Sequence, residues 1–100
     1  MSISWSLKRA LLQEALKQMR LDAQLTQADL ARRLNKPQSY VSKYESGERR
    51  LDVIELEEVC SAAGESLSNF TTALEETFKT EENLQKEKTM ELHEKSRDYE

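Results

Sequence analysis

Apolar residues follow a helical period in the first part of the chain. Leu12, Leu16 and Met19 recur at spacings of four and then three residues. This spacing places side chains on one face of an α-helix. We therefore predict a first helix from about Ser6 to Asp22, with the Ser6 hydroxyl as its N-terminal cap.

Two short helices joined by a tight turn are predicted next. Thr26, followed three residues later by Asp29, has the spacing of an N-terminal capping box. Asn35 ends this second helix, because Asn tolerates the left-handed backbone that a helix end often requires. The third helix is predicted over 37–46, since proline fits the first turn of a helix, and Gly47 ends it. The inward-facing positions of the two helices are Leu30, Ala31, Leu34, Val41 and Tyr44.

Two further helices have clear N-terminal signals. Asp52 with Glu55 forms a second capping-box pattern, and Gly64 closes the helix that follows. Ser66 caps a fifth helix. The predicted inner faces are Val53, Leu56, Val59, Cys60 and Ala63 in the fourth helix, and Leu67, Phe70, Leu74 and Phe78 in the fifth.

The apolar pattern stops after Phe78. Residues 79–100 are rich in Glu and Lys, and their few large apolar side chains form no sustained heptad. We expect an all-α domain of five helices over residues 1–78. Residues 79–100 are expected to form a charged helical tail, either frayed or ordered by a partner.

Composition narrows the class of protein. The chain has 100 residues, two Gly and one Pro, which suits one small helical domain and disfavours tight β-hairpins. No apolar run is as long as the ~20 residues of a membrane span, and the N-terminus lacks the apolar core of a secretion signal. A cytoplasmic protein without membrane contact is expected.

The net charge of −4 hides a division between the two halves of the chain. Residues 1–50 contain ten Lys or Arg and five Asp or Glu, a net charge of +5. Residues 51–100 contain five Lys or Arg and fourteen Asp or Glu, a net charge of −9. The basic half is compatible either with an anionic partner or with an ordinary solvated surface, and charge alone does not decide between them.

Several spaced motifs resemble one known family. LTQADLARRL at residues 25–34 resembles the L-T-Q-x-x-L-A-x-x-L opening of the Cro/repressor-type (Xre-like) helix-turn-helix family. QSYVSKYESG at residues 38–47 is similar to the recognition helix of that family with its E-x-G ending. The pair Arg49–Arg50 before a capped helix and AAGESL at residues 62–67 also match. The resemblance covers about residues 16–70.

This resemblance implies a Cro/lambda-repressor-like fold and a bacterial or phage transcriptional regulator that reads the DNA major groove with helix 37–46. The sequence departs from the family in four places. Gln24 and Asn35 stand where the family often has glycine, and Leu51 stands where it often has proline. Pro37 replaces a common Ser or Thr cap, which implies a small reorientation of the recognition helix.

The resemblance places base contacts on the exposed face of the third helix. Gln38 is the foremost candidate, because a side-chain amide can pair with both N6 and N7 of adenine. Lys43 can donate to guanine, and Ser39 is a less selective donor. Ser42 is either a base contact or a solvated serine.

Phosphate contacts are expected around that helix. The family uses the Gln at the start of its second helix for a phosphate, and Gln27 matches it at a helix N-terminus. Lys36, Arg49 and Arg50 flank the third helix and suit the same role, or one of the two arginines reaches the minor groove. Tyr40 meets a phosphate or a thymine methyl group, or only packs on the surface.

A structural ion pair is also implied by the resemblance. In the family an arginine of the first helix pairs with the glutamate that ends the recognition helix, and Arg20 and Glu45 match these positions. We expect this pair to hold the recognition helix on its scaffold and not to contact DNA.

Two classes of function compete. The first is a DNA-binding repressor or regulator that forms a homodimer on a palindromic operator, where Phe70, Leu74 and Phe78 either form the dimer surface or only fill the core. The second is an antitoxin or protein-binding regulator of the same fold, whose acidic tail at residues 79–100 binds a partner. The tail is otherwise a simple solubilising extension. A scaffold that has lost DNA binding is a third, disfavoured by Gln27, Gln38, Lys43 and the basic loop.

Enzymatic chemistry is not expected. His93 is the sole histidine and Cys60 the sole cysteine, so neither has a partner of its own type at metal-ligand spacing. Glycine-rich phosphate loops are absent from the sequence as well. We expect no metal and no cofactor.

Overall fold

The structure, a computed structural model, describes residues 3–98, with side chains up to residue 88. All regular structure within residues 3–98 is helical, which confirms the predicted all-α fold. The chain order is α1 (Trp5–Asp22), α2 (Gln27–Leu34), α3 (Gln38–Ser46), α4 (Val53–Ala62) and α5 (Leu67–Asp98).

The first helix begins earlier than its sequence pattern indicates. Ser4 is the N-cap, and its hydroxyl accepts a hydrogen bond from the backbone N–H of Leu7 at 3.1 Å. The prediction that Ser6 caps this helix is therefore wrong. Two serines spaced two residues apart can both serve as caps, and the backbone turns into the helix at the first of them.

The segment from α2 to α3 follows the predicted turn chemistry. Thr26 and Asp29 form a complete capping box, with each side chain accepting the backbone N–H of the other residue at 3.0 Å. Asn35 has a φ of 56° and lies in the left-handed region. Pro37 is extended and immediately precedes α3, so α3 begins one residue later than predicted. Gly47, with a φ of 88°, ends it.

The start of α4 has the expected cap but a different buried face. Asp52 and Glu55 form the second capping box, with hydrogen bonds of 2.8 and 3.0 Å. Val53 is 64% exposed, so its predicted place on the inner face is wrong. Ile54 beside it is 65% exposed as well, so the first two residues of α4 face solvent, whereas Val59 and Cys60 one or two turns later are completely buried.

The fifth helix is longer than the apolar pattern predicts. The Ser66 hydroxyl accepts the N–H of Asn69 at 3.0 Å, as expected of a cap. The helix then continues through Phe78 without a break and runs to Asp98. The side chains from Thr89 onward, His93 included, and all of residues 99–100 lie outside the described part of the tail.

Every helix contributes to a single core. Its best-buried members are Leu16 from α1, Leu30 from α2, Val41 and Tyr44 from α3, Val59 and Cys60 from α4, and Phe70 from α5. Burial raises the pKa of the Cys60 thiol to about 11, which keeps it protonated at neutral pH. The helix α3 packs against α1 and α2, while α5 packs against α1 and α4. Of the described residues, none forms a helix long and apolar enough for a membrane crossing.

Candidate nucleic-acid interface

The third helix has one buried face and one free face. Val41 and Tyr44 are buried in the core, as their spacing of three residues predicts. The side chains assigned to base contact are exposed, and they are Gln38, Ser39, Ser42 and Lys43. The helix therefore offers solvent a polar surface whose backbone position is fixed from behind.

Arg20 and Glu45 join α1 to the end of α3. The Nε of Arg20 donates to Oε2 of Glu45 at 2.8 Å, and its Nη2 donates to Oε1 at 3.0 Å. The Nη1 of Arg20 donates to the carbonyl oxygen of Leu25 at 3.0 Å. The arginine is only 7% exposed, and its hydrogen bonds to Glu45 raise its pKa further above the ordinary arginine value. The pair thus holds together α1, the α1–α2 turn and α3.

Gln27 belongs to this network in the structure. Its Nε2 donates to Oε1 of Glu45 at 3.1 Å, and the residue is half-buried. The amide that the family resemblance assigns to a phosphate therefore supports the ion pair in the isolated protein. The amide oxygen of Gln27 is only an acceptor and cannot donate to a phosphate. A phosphate at this helix end would therefore accept from the second amide proton of Gln27 or from the backbone N–H groups.

Tyr40 lies between two cations and the core. Its ring meets that of Tyr44 edge-on, with centroids 5.7 Å apart. The Cζ of Arg49 lies 4.6 Å from the Tyr40 centroid, and the Nζ of Lys36 lies 5.5 Å from it. Burial, with Glu55 nearby, raises the pKa of the Tyr40 hydroxyl. Tyr40 is therefore a half-buried platform for two of the predicted phosphate-binding side chains.

Arg49 and Arg50 differ in how far they are engaged within the protein. Arg49 donates to Oε2 of Glu55 at 2.5 Å and to the carbonyl oxygen of Arg50 at 3.1 Å. This contact with Glu55 raises the pKa of Arg49, so Arg49 is bound to the start of α4. Arg50 is exposed, and its guanidinium lies over the ring of Trp5 at 5.2 Å from the centroid.

The N-terminal end of α1 is the part of this surface that sequence reasoning missed. Trp5 is 62% exposed, and the Cζ of Arg9 also lies 5.2 Å from its centroid. An aromatic residue four positions from an arginine on one helix was the available signal. The proximity of Arg50 depends on the tertiary fold and leaves no mark in the local sequence.

The predicted dimer residues occupy three different environments. Phe70 is 6% exposed and belongs to the core, so it offers no surface to a partner. Leu74 is half-buried and lines a groove of about 460 Å³ between α1 and α5. Phe78 is half-buried, with the Nζ of Lys8 5.4 Å from its ring centroid.

Known proteins share this arrangement of helices. A helix-turn-helix family model matches residues 16–70, which is more than half of the chain. An XRE-family like protein from Pseudomonas syringae pv. tomato str. DC3000 is 40% identical, with a TM-score of 0.68 over 72% of this chain and 88% of its own. The sequence matches none of the curated proteins that were compared with it.

Two regulators of known name are also similar in structure. The restriction-modification controller protein C.Esp1396I, solved as a tetramer in complex with its natural 35 base-pair operator, is 27% identical, with a TM-score of 0.65 over 74% of this chain and 95% of its own. The clp gene regulator ClgR from Corynebacterium glutamicum shares the fold at 23% identity, with a TM-score of 0.69 over 83% of this chain and 88% of its own. Together with the family match and the exposed third helix, these likenesses show that the chain belongs to the XRE-like helix-turn-helix family and is a DNA-binding transcriptional regulator.

Proposed function

We propose that this protein is a repressor that binds one specific double-stranded operator and reads it by inserting α3 into the major groove. The observation that carries the proposal is the contrast between the two faces of α3. Its scaffold face is locked by the buried Arg20–Glu45 pair, while Gln38 and Lys43 point to solvent from its exposed face. A rigid helix with free, polar side chains is what direct base readout requires.

The exposed side chains of α3 divide the work of base recognition. Gln38 lies in the first turn of the helix, the part that comes nearest to the base edges when a recognition helix enters the groove. Its amide suits adenine, and Lys43 suits guanine. Ser39 and Ser42 have short hydroxyl side chains that bind several bases with little discrimination.

The flanking residues position the helix on the DNA backbone. Lys36 and Arg50 are exposed and carry the phosphate contacts on either side of α3. Gln27 binds a phosphate at the start of α2 through the amide proton that Glu45 does not use. Arg49 and Tyr40 mainly stabilise the α3–α4 loop. Their contacts with the DNA backbone are peripheral, because Glu55 already holds the Arg49 guanidinium.

We further propose that the protein acts as a homodimer in the bacterial or phage cytoplasm. A palindromic operator would then present two half-sites whose centres are ~34 Å apart, one turn of DNA. The tetramer that C.Esp1396I forms on its operator supports assembly on DNA as the mode of action. The half-buried Leu74 and Phe78 on α5 are the residues of this chain that suit a dimer contact.

Selection of binding sites from a random duplex pool, at near-physiological salt, tests the proposal. We expect a two-fold symmetric motif, and Gln38→Ala should relax preference at one base position at a cost of about 1–3 kcal/mol. Gln18→Ala is the matched control, because Gln18 is also exposed but hydrogen-bonds to Asp22 on α1. Absence of enrichment, with affinity that only falls as salt rises, would overturn the proposal.

A protein partner for residues 79–100 is the alternative that this last outcome would favour. The continuation of α5 beyond the domain gives such a partner a preformed helix to bind. Stoichiometric co-purification of a second protein, abolished when residues 79–100 are deleted, would then identify an antitoxin or a similar regulator.

A further inference from the structure

A second cluster of arginine and aromatic side chains lies beside the predicted DNA-binding surface. Trp5 exposes 62% of its surface at the first turn of α1. The guanidinium groups of Arg9 and Arg50 each lie 5.2 Å from the centroid of its indole ring. One arginine comes from α1 and the other from the α3–α4 loop, so the ring connects the two elements.

This cluster is continuous with the surface around α3. Arg50 follows Arg49, whose guanidinium lies over Tyr40. The turn that precedes them lies close to α1. A Cβ atom on Gly47 would come within 2.6 Å of Nε2 of Gln13, so only glycine fits there without a shift of the Gln13 side chain. Cations and aromatic rings therefore alternate from Lys36 through the loop to the start of α1.

The arginines of the cluster are not neutralised within the protein. In the described part of the chain, Arg20, Arg32 and Arg49 form ion pairs with carboxylates, whereas Arg9 and Arg50 form none. Two like charges near one ring repel each other, and an anion bound between or beside them offsets that repulsion. The surface cluster is thus complementary to an anion, and the adjacent α3 indicates which one.

We propose that Trp5 and Arg9 extend the DNA interface beyond the helix-turn-helix, with Arg9 and Arg50 bound to backbone phosphates that flank the bases read by α3. The indole ring holds both guanidinium groups in place, which reduces the side-chain entropy that binding removes. Because the contacts are to phosphate, they strengthen binding without selecting a sequence. This inference rests on the proposed function.

The salt dependence of binding to the selected operator tests the role of Arg9. Arg9→Gln should lower the slope of log affinity against log salt by about 0.9 for each phosphate that the variant no longer binds, and weaken binding equally on operator and random DNA. Lys79→Gln is the control, because it removes the same charge from an exposed position on α5. The helices that pack against α3 are α1 and α2, whereas α5 packs against α1 and α4. A slope that changes equally in both variants would overturn the inference.

The role of the ring is tested by two substitutions of Trp5. Trp5→Phe keeps an aromatic platform and should retain most of the affinity, whereas Trp5→Leu should weaken binding about as much as Arg9→Gln does. Circular dichroism of both variants would establish that α1 is intact. Equal affinities for Trp5→Leu and the wild type would overturn the platform role.

The outcomes separate this inference from the proposed function. If Gln38→Ala relaxes base preference while Arg9→Gln behaves like Lys79→Gln, the proposed function holds and this inference fails. If the wild-type protein selects no sequence, the proposed function fails as well. Hydroxyl-radical footprinting gives the direct measurement, in which Arg9→Gln should lose protection of backbone positions that flank the bases read by α3, while the protection over those bases remains.

Discussion

Glu45 and Arg20 show how a single contact can affect DNA binding without touching DNA. Replacing Glu45 with Ala leaves the Arg20 guanidinium, 7% exposed, without its carboxylate. We expect this to cost about 3–5 kcal/mol of the free energy of unfolding, measured by urea denaturation. Glu48→Ala should change stability by less than about 0.5 kcal/mol, because Glu48 is exposed.

The same variant separates a structural role of Glu45 from a binding role. DNA affinity should fall in Glu45→Ala only as far as the loss of folded protein or of α3 order explains. Full stability together with abolished DNA binding would contradict the structural assignment. It would instead place Glu45, with Gln27, in direct contact with the operator.

The role of a residue could be predicted from the sequence where the family resemblance names both partners of a contact. Arg20 and Glu45 are 25 residues apart, and only the resemblance linked them before the structure brought them to 2.8 Å. The contacts of Gln27 with Glu45 and of Arg49 with Glu55 could not be foreseen in this way. Long polar side chains have several partners within reach, and the choice among them is made by tertiary packing.

The two capping boxes predict a pH dependence at the level of helix ends. Two hydrogen bonds with Thr26 lower the pKa of Asp29, and the larger effect comes from the backbone N–H of Thr26. Arg49, followed by the backbone N–H of Asp52, lowers the pKa of Glu55. A carboxylate whose pKa is lower in the folded state stabilises the protein above its unfolded pKa, about 4, and this stabilisation disappears as pH falls through the folded value.

We therefore expect the free energy of unfolding to fall as the pH is lowered from about 5 to about 3, and Asp29→Asn or Glu55→Gln to make that fall shallower. Urea denaturation at several pH values measures it. Glu48→Gln is the control, because Glu48 forms no ion pair with any described residue. Parallel profiles for the wild type and both cap variants would show that the caps do not couple to protonation.

The turn between α1 and α2 has a residue that fits its backbone poorly. Gln24 has a φ of 60°, in the left-handed region that costs an ordinary L-residue about 1 kcal/mol. Glycine adopts this region at little cost because it has no Cβ atom. Gln24→Gly should raise the free energy of unfolding by up to about 1 kcal/mol and leave DNA affinity unchanged, since Gln24 is exposed. A decrease in stability would mean that the contacts of the Gln24 side chain and the greater entropy of an unfolded chain with glycine together outweigh the strain.

Four helix ends could be predicted because their signals are local, whereas the start of α1 could not, since Ser4 and Ser6 are both possible caps. Thr26, Asn35, Gly47 and Asp52 all occupy the terminal positions that their side chains or backbone preferences favour. Val53 failed for a non-local reason. Helical spacing tells which face of α4 is apolar, but not where neighbouring helices stop covering it.

At the scale of the whole molecule, most of the net negative charge of residues 51–100 lies before the tail and not in it. Residues 51–78 contain seven Asp or Glu and no Lys or Arg, whereas residues 79–100 mix five basic with seven acidic residues. The acidic segment therefore coincides with α4 and the start of α5, and α5 packs against α1 and α4, whereas α3 packs against α1 and α2. The exposed carboxylates of α5 thus belong to a helix that packs away from α3, whereas Glu55 at the start of α4 lies against Arg49 of the basic loop.

The position of these carboxylates predicts that their effect on DNA affinity depends on the salt concentration. Glu75 and Glu76 are exposed on α5, and the molecule is about 24 Å thick. Charges act over roughly 30 Å at 0.01 M salt but only about 8 Å at 0.15 M. Neutralising both residues, as in Glu75→Gln with Glu76→Gln, should therefore raise the affinity for random DNA severalfold at about 0.01 M and have almost no effect at about 0.15 M. Glu48→Gln, beside the basic loop, should raise it at both salt concentrations.

If the α5 variant also binds more tightly at the higher salt concentration, its carboxylates lie within about 8 Å of the DNA. In that case the acidic side of α5 faces the operator, and the orientation of α3 proposed here is wrong.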